Sequence, residues 1–300
     1  MTSPGPGTHR WHADPVLGAG DLVLCSGTLP AGTDFDTRLA AAREAGFAGI
    51  SLWGRDRAAA RAAGRSDADL RAMLGDHGLE VAEIDPAWWW LPGAADVGAS
   101  LVAHDDQQVF AFGEDDLFAV AEALGARSLN AVDVFGGDWT VDDAAGAFAA
   151  LCDRAAERGL LVQLEFLPWS RIPDVSTAWQ VVRRADRPNG GIAVDAWHFV
   201  RSGSTLEDLA AVPPDRILGV QLDDGPLAPE ENLVHATLHE RRLPGEGEFD
   251  LAGLCGALAG SPAPIGVEVF SDALHALGPM EAARRAADAT NRVVLRGGGR

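Results

Sequence analysis

Four short stretches in the second half of the chain share one pattern: Gln163-Leu-Glu165, Ala193-Val-Asp195, Gly219-Val-Gln221 and Gly266-Val-Glu268. In an extended strand side chains alternate, so each terminal polar residue faces the same way as the residue two before it. In three of the four that partner is Ala or Gly, which leaves room beneath the polar group, while Val194, Val220 and Val267 face the other way. Side by side in one register, Glu165, Asp195, Gln221 and Glu268 converge. Three carboxylates buried together need a counter-charge. A divalent cation supplies it. Three carboxylates and one amide oxygen form a hard ligand set that suits Mn2+ or Mg2+ better than thiolate-seeking zinc. The bland alternative, strand-end caps or arginine partners, is reasonable for one strand and weak for four in the same register.

Three further features lie near these strand ends. His198 follows Asp195 by three residues, past the strand, and is read as a proton-transfer or supporting group beside the metal ligands. Arg241 opens the stretch Arg-Arg-Leu-Pro-Gly-Glu-Gly-Glu ending at Glu248, a loop stiffened by Pro and Gly whose guanidinium groups could fix an oxyanion or phosphate. Trp53, Trp88, Trp89, Trp90, Trp139, Trp169 and Trp197 all fall at or just past strand ends, which suggests an aromatic, partly water-excluding pocket. Trp88 and Trp197 are the expected substrate contacts. Arg55 and Asp85 lie nearby without an assignable role.

The elements that must carry these residues recur along the whole chain. Apolar runs at 22–30, 47–54, 80–89, 127–136, 160–169, 190–199, 217–226 and 264–272 alternate with helical patterns such as 36–46, 67–78, 115–125 and 141–159. The helical patterns start on Ser, Thr or Asp, carry apolar residues at 3–4 spacing and end on Gly. Eight such βα units without a linker predict an α/β fold with a single (β/α)8 TIM barrel over 16–296, flanked by a flexible tail at 1–15 and a short one at 297–300. An open doubly wound sheet would need a Gly-rich phosphate loop after an early strand, and none is present. Barrel enzymes carry their chemistry where strands end and βα loops begin.

Composition excludes much else. All 24 basic residues are Arg, and Tyr is absent. There is no lysine Schiff base, no Walker loop and no tyrosine acid–base mechanism. A net charge of −20 disfavours nucleic acid as a partner. No apolar run is long enough for a membrane helix, and the N-terminus lacks the regions of a signal peptide, so a cytoplasmic protein is expected. The three cysteines, Cys25, Cys152 and Cys255, form neither a disulfide framework nor a zinc spacing.

Glu165, the Asp195-x-x-His198 pair, a polar strand-seven residue, the Arg-Arg-Leu-Pro-Gly-Glu-Gly loop and Glu268 together resemble the xylose-isomerase-like barrel superfamily, in particular its sugar-phosphate isomerase/epimerase group. The likeness covers nearly the whole chain and is specific from the fifth strand onward. It implies a Mn2+-type cation, with Mg2+ or Co2+ as alternatives, held by Glu165, Asp195, Gln221 and Glu268. It also implies proton abstraction next to a carbonyl by Glu165 or Glu268. Epimerases of the group have His where this chain has Gln221; relatives that dehydrate 3-dehydroshikimate carry Gln there. Arg171, in the loop after Glu165, could join Arg241 on a substrate carboxylate. The leading expectation is an isomerase or epimerase of a sugar or polyol-like hydroxy-ketone. A dehydratase of the dehydroshikimate or inosose kind is the alternative, and a non-catalytic partner subunit comes third. The expected partner is a small sugar, keto-polyol or hydroxy-keto acid, with a homo-oligomer left open. The superfamily's apurinic endonucleases need a histidine-rich zinc site and a basic DNA face, which this chain lacks.

Overall fold

A computed structural model describes residues 17–94, 109–134 and 136–297. The tails read at 1–15 and 297–300 lie outside the described residues, except Gly297, which closes the last helix. Eight parallel strands close into a barrel in sequence order. They are β1 (Leu22–Leu24), β2 (Gly49–Trp53), β3 (Glu80–Ala87), β4 (Ser128–Val132), β5 (Leu161–Glu165), β6 (Gly190–Asp195), β7 (Ile217–Leu222) and β8 (Ile265–Val267). The helices α1 (Phe35–Ala45), α2 (Gly54–Ala62), α3 (Asp67–His77), α4 (Glu114–Leu124), α5 (Val141–Ala156) and α6 (Val175–Ala185) follow the earlier strands. The later ones are α7 (Ala196–Arg201), α8 (Leu206–Ala210), α9 (Leu233–His239), α10 (Leu251–Ala257), α11 (Asp272–His275) and α12 (Pro279–Gly297).

The local chemistry explains the boundaries. Asp34 caps α1 by accepting from the Thr37 amide at 2.8 Å, and Gly46 ends that helix at φ 86°, a left-handed conformation costly for a residue with a Cβ. Ser66 and Thr140 cap α3 and α5 in the same way. Every expected strand is present but shorter than its apolar run. The run at 190–199 stops being a strand at Asp195, because that carboxylate accepts the His198 amide at 2.9 Å and starts α7.

Alternation then sorts the strand residues. Leu52, Ile84, Leu129, Leu164, Val194 and Val267 are fully buried in the main core between strands and helices, and Val220 joins them there. The opposite faces meet inside the barrel. Register Asp195↔Gln221 sets the expected β6 and β7 residues side by side. Glu165 pairs with Ala193 and Gln221 with Gly266, so the four expected residues do not share one register, and Glu268 lies two residues beyond the partner of Gln221.

Candidate active site

The barrel interior is polar at two levels. At the lower level the Glu83 carboxylate of β3 accepts from the Gln163 Nε2 across the barrel and from Gln221 Nε2 at 3.3 Å, with the Cys25 thiol 3.9 Å away. A Cβ on Gly219 would lie 2.6 Å from the Gln163 carboxamide, and one on Gly266 would lie 3.2 Å from Gln221 Cγ. The room left by the small residues is therefore filled by glutamine side chains. Burial raises Glu83 above its usual range, against the pull of the two amides.

At the strand ends the groups become charged. Glu165 is fixed by Asn130, whose Nδ2 donates to Oε2 at 2.5 Å. Its other oxygen lies 3.6 Å from His198 Nε2. One ligand atom each from Glu165, Asp195 and His198 fall within 4.8 Å of one another. Arg241 enters the same space: Nη1 is 2.8 Å from Asp195 Oδ2, 2.7 Å from Asp223 Oδ2 and 3.6 Å from Glu268 Oε2, while Nε donates to the Thr237 carbonyl. Burial pushes Glu165, Asp223 and Glu268 well above ordinary carboxylate values; neighbouring Asp195 adds to the first two, and Glu165 adds to Glu268 despite Arg241. Burial also opposes charge on Asp195, but Arg241 and His198 prevail and hold it low. Desolvation brings His198 down to about 4, against the attraction of Asp195, so its ring is neutral. Asp85, buried and near Glu83, is pushed up to about 8 and accepts the Trp53 indole N–H at 3.0 Å.

Several buried polar atoms here meet no partner: Gln221 Oε1, Asp223 Oδ1, His198 Nδ1 and Asn130 Oδ1. Such atoms are costly to bury unsatisfied and mark a place built for a ligand. Clustered carboxylates, a free amide oxygen and a neutral imidazole fit a divalent cation.

Arg241 was expected as an open anion hook. Instead it is 2% exposed and its guanidinium is spent on the chain's own carboxylates. The residues 240–242 pair with Ser271 and Asp224, and alternation turns Arg241 inward and Arg242 outward. Arg171 stays at the exposed rim, where its Nη2 donates to the Trp139 carbonyl and it lies over that ring. It reaches none of the site carboxylates among the described contacts. Trp197 is fully buried, donates to Thr237 and packs against Phe249, Arg201 and Arg241. It braces Arg241 and offers no surface to a substrate. Trp88 packs beside Val132 and Leu167, and Trp169 sets its edge on the His198 ring. Asp223, Glu83 and Asn130 were missed. Period two was the available signal: Asp223 continues the face of Gln221, and Glu83-Ile-Asp85 repeats the pattern of Gln163-Leu-Glu165.

The sequence pattern of the family described as xylose isomerase-like TIM barrel matches residues 39–293. The chain belongs to this family. The zinc-bound crystal structure of the IolI protein has the same fold, with a TM-score of 0.79 over 93% of this chain and all of that one at 21% identity. A 3-dehydroshikimate dehydratase of Pseudomonas aeruginosa is 30% identical over 265 residues, 85% of this chain. An inosose isomerase of Halalkalibacterium halodurans is 30% identical over 148 residues, 48% of this chain. The chain spans only 38% of the length of the first relative and 51% of the second.

Proposed function

We propose that this chain is a divalent-metal-dependent enzyme that removes a proton next to a carbonyl of a hydroxy-ketone or hydroxy-keto acid and, in its leading form, expels a neighbouring hydroxyl as water. The ligand atoms of Glu165, Asp195 and His198 within 4.8 Å of one another, with Glu268 on the guanidinium that Asp195 also holds, support the metal part of this reading. Glu165, Asp195, Gln221 and Glu268 are its proposed ligands. Those four residues would hold the cation, Mn2+ first by the hardness of the donors. Bound there, it would polarise the substrate oxygen and acidify the adjoining C–H. Glu165 and Glu268, both prone to take up a proton in this buried setting, supply the base. Asn130 holds Glu165 in place, and Trp169 sets its edge against the His198 ring. The abstracted proton then has three destinations: a leaving hydroxyl, which breaks the C–O bond and gives water; the opposite face of the same carbon; or the neighbouring carbon.

The strand-end residues alone favour isomerisation or epimerisation. The dehydratase match over 85% of the chain, together with glutamine at the strand-seven position, supports placing dehydration ahead. The inosose isomerase match keeps isomerisation as the second reading. The test is to strip the protein with a chelator, restore Mn2+, and offer 3-dehydroshikimate while following the aromatic product by near-ultraviolet absorbance. Keto-sugars and inososes are offered in parallel in D2O with NMR detection of C–H exchange. Metal-dependent aromatic product supports dehydration. Exchange without loss of water moves the reading to isomerisation, and neither signal with any substrate overturns the enzyme reading. His198→Ala should retain the metal and lose turnover; loss of metal instead would make His198 a ligand.

A further inference from the structure

We propose that Glu83, on the opposite side of the barrel, is what makes a glutamine usable as the strand-seven ligand: it captures the N–H end of the Gln221 carboxamide and leaves the oxygen for the cation. The inference rests on the metal reading above and adds a residue that reading does not use.

A carboxamide has two ends of almost the same size, and only the oxygen can bind a hard cation. Which end faces the site is decided by hydrogen bonds to the other end. An ionised carboxylate only accepts, so a glutamine that touches one must present its nitrogen there. Glu83 does this twice, taking Gln163 Nε2 on Oε2 and Gln221 Nε2 on Oε1 at 3.3 Å. The Gln221 oxygen is then buried with no donor of its own. The arrangement is built: Gly219 leaves space for the Gln163 amide, Gly266 closes on Gln221 Cγ, and Arg127, whose Nη1 is tied to the Leu218 carbonyl, supports the charge on Glu83. Glu83 is 6% exposed, lies in β3, and among the described residues hydrogen-bonds to no expected ligand other than Gln221. It acts on the cation only through that amide and is a positioning residue.

The test compares Mn2+ affinity by calorimetry in wild type, Glu83→Gln, Gln221→His and the double variant. A glutamine at 83 can donate as well as accept and no longer dictates which end of Gln221 it meets. Glu83→Gln should weaken Mn2+ binding by about 10- to 100-fold, the usual cost of losing a residue that orients a ligand. In the Gln221→His background, where no carboxamide needs orienting, the same change should have a much smaller effect. Equal losses in both backgrounds overturn the proposal alone. A wild type that binds no Mn2+ overturns the metal reading and the proposal together. A second readout needs no metal: the Gln221 side-chain NH2 cross-peak, identified by its absence in Gln221→His, should be protected from exchange in the metal-free wild type and unprotected in Glu83→Gln. Exchange at the free-amide rate in the wild type overturns the proposal even if Glu83→Gln does not fold.

Discussion

At the floor of the barrel one carboxylate, Glu83, is met by two neutral amides and a thiol; at the rim Asp195, Asp223 and Glu268 share the Arg241 guanidinium, with Glu165 beside them. The floor is a settled network in which Glu83 has donors on both oxygens. The rim has more acceptors than donors and keeps Asp223 Oδ1, His198 Nδ1 and Asn130 Oδ1 without partners. Gln221 joins the two levels, satisfied at its nitrogen and unsatisfied at its oxygen. A closed network of neutral donors stabilises structure, whereas crowded carboxylates that share one guanidinium and leave acceptors without donors make a candidate functional site.

The largest expected effect falls on the rim. Glu268→Gln should lower kcat by about 10²- to 10⁴-fold, as expected for loss of a catalytic base. The urea midpoint should hold or rise, because a charge that burial penalises is gone. A parallel collapse of stability would mean that Glu268 belongs with the structural floor. Arg241→Met should cost about 3–5 kcal/mol in urea unfolding, since it strands carboxylates buried around the guanidinium; a loss under 1 kcal/mol would show that the rim does not depend on this counter-charge.

At the floor Gly219→Ala should destabilise by about 1–3 kcal/mol, because the new methyl would push the Gln163 carboxamide off Glu83. An unchanged melting profile would show the floor to be loose. The smallest effect is one of slope. Asp85 is raised in the folded state to about 8 from an ordinary 3.8, so its share of stability is full below pH 4 and fades as the pH climbs through 8. Asp85→Asn should flatten that decline. Identical slopes in the two proteins would show that Asp85 is not protonated in the fold.

Much of this was legible in the sequence. The eight strands follow from apolar runs bounded by Gly-ended helical patterns, and all eight are present. Glu165, Asp195 and Glu268 could be picked out as candidates because period-two alternation needs only local information. Their support was not legible. Glu83 meets Gln163 and Gln221 from 80 and 138 residues away, and no local pattern encodes which side chain lies opposite across a closed barrel.

By itself, then, the sequence determined the barrel, the candidate carboxylates at its strand ends and the absence of lysine and tyrosine chemistry, because backbone periodicity and residue type act at short range. Only the tertiary structure decided where the long side chains went. Arg241 turned inward onto Asp195 and Asp223, Trp197 moved behind it, and Arg171 stayed outside with Trp139. Each of those outcomes depends on a loop pairing or on a partner supplied by a distant strand. In a low-dielectric interior a guanidinium settles where carboxylates are already buried, and the chain closes that neighbourhood only when the barrel does.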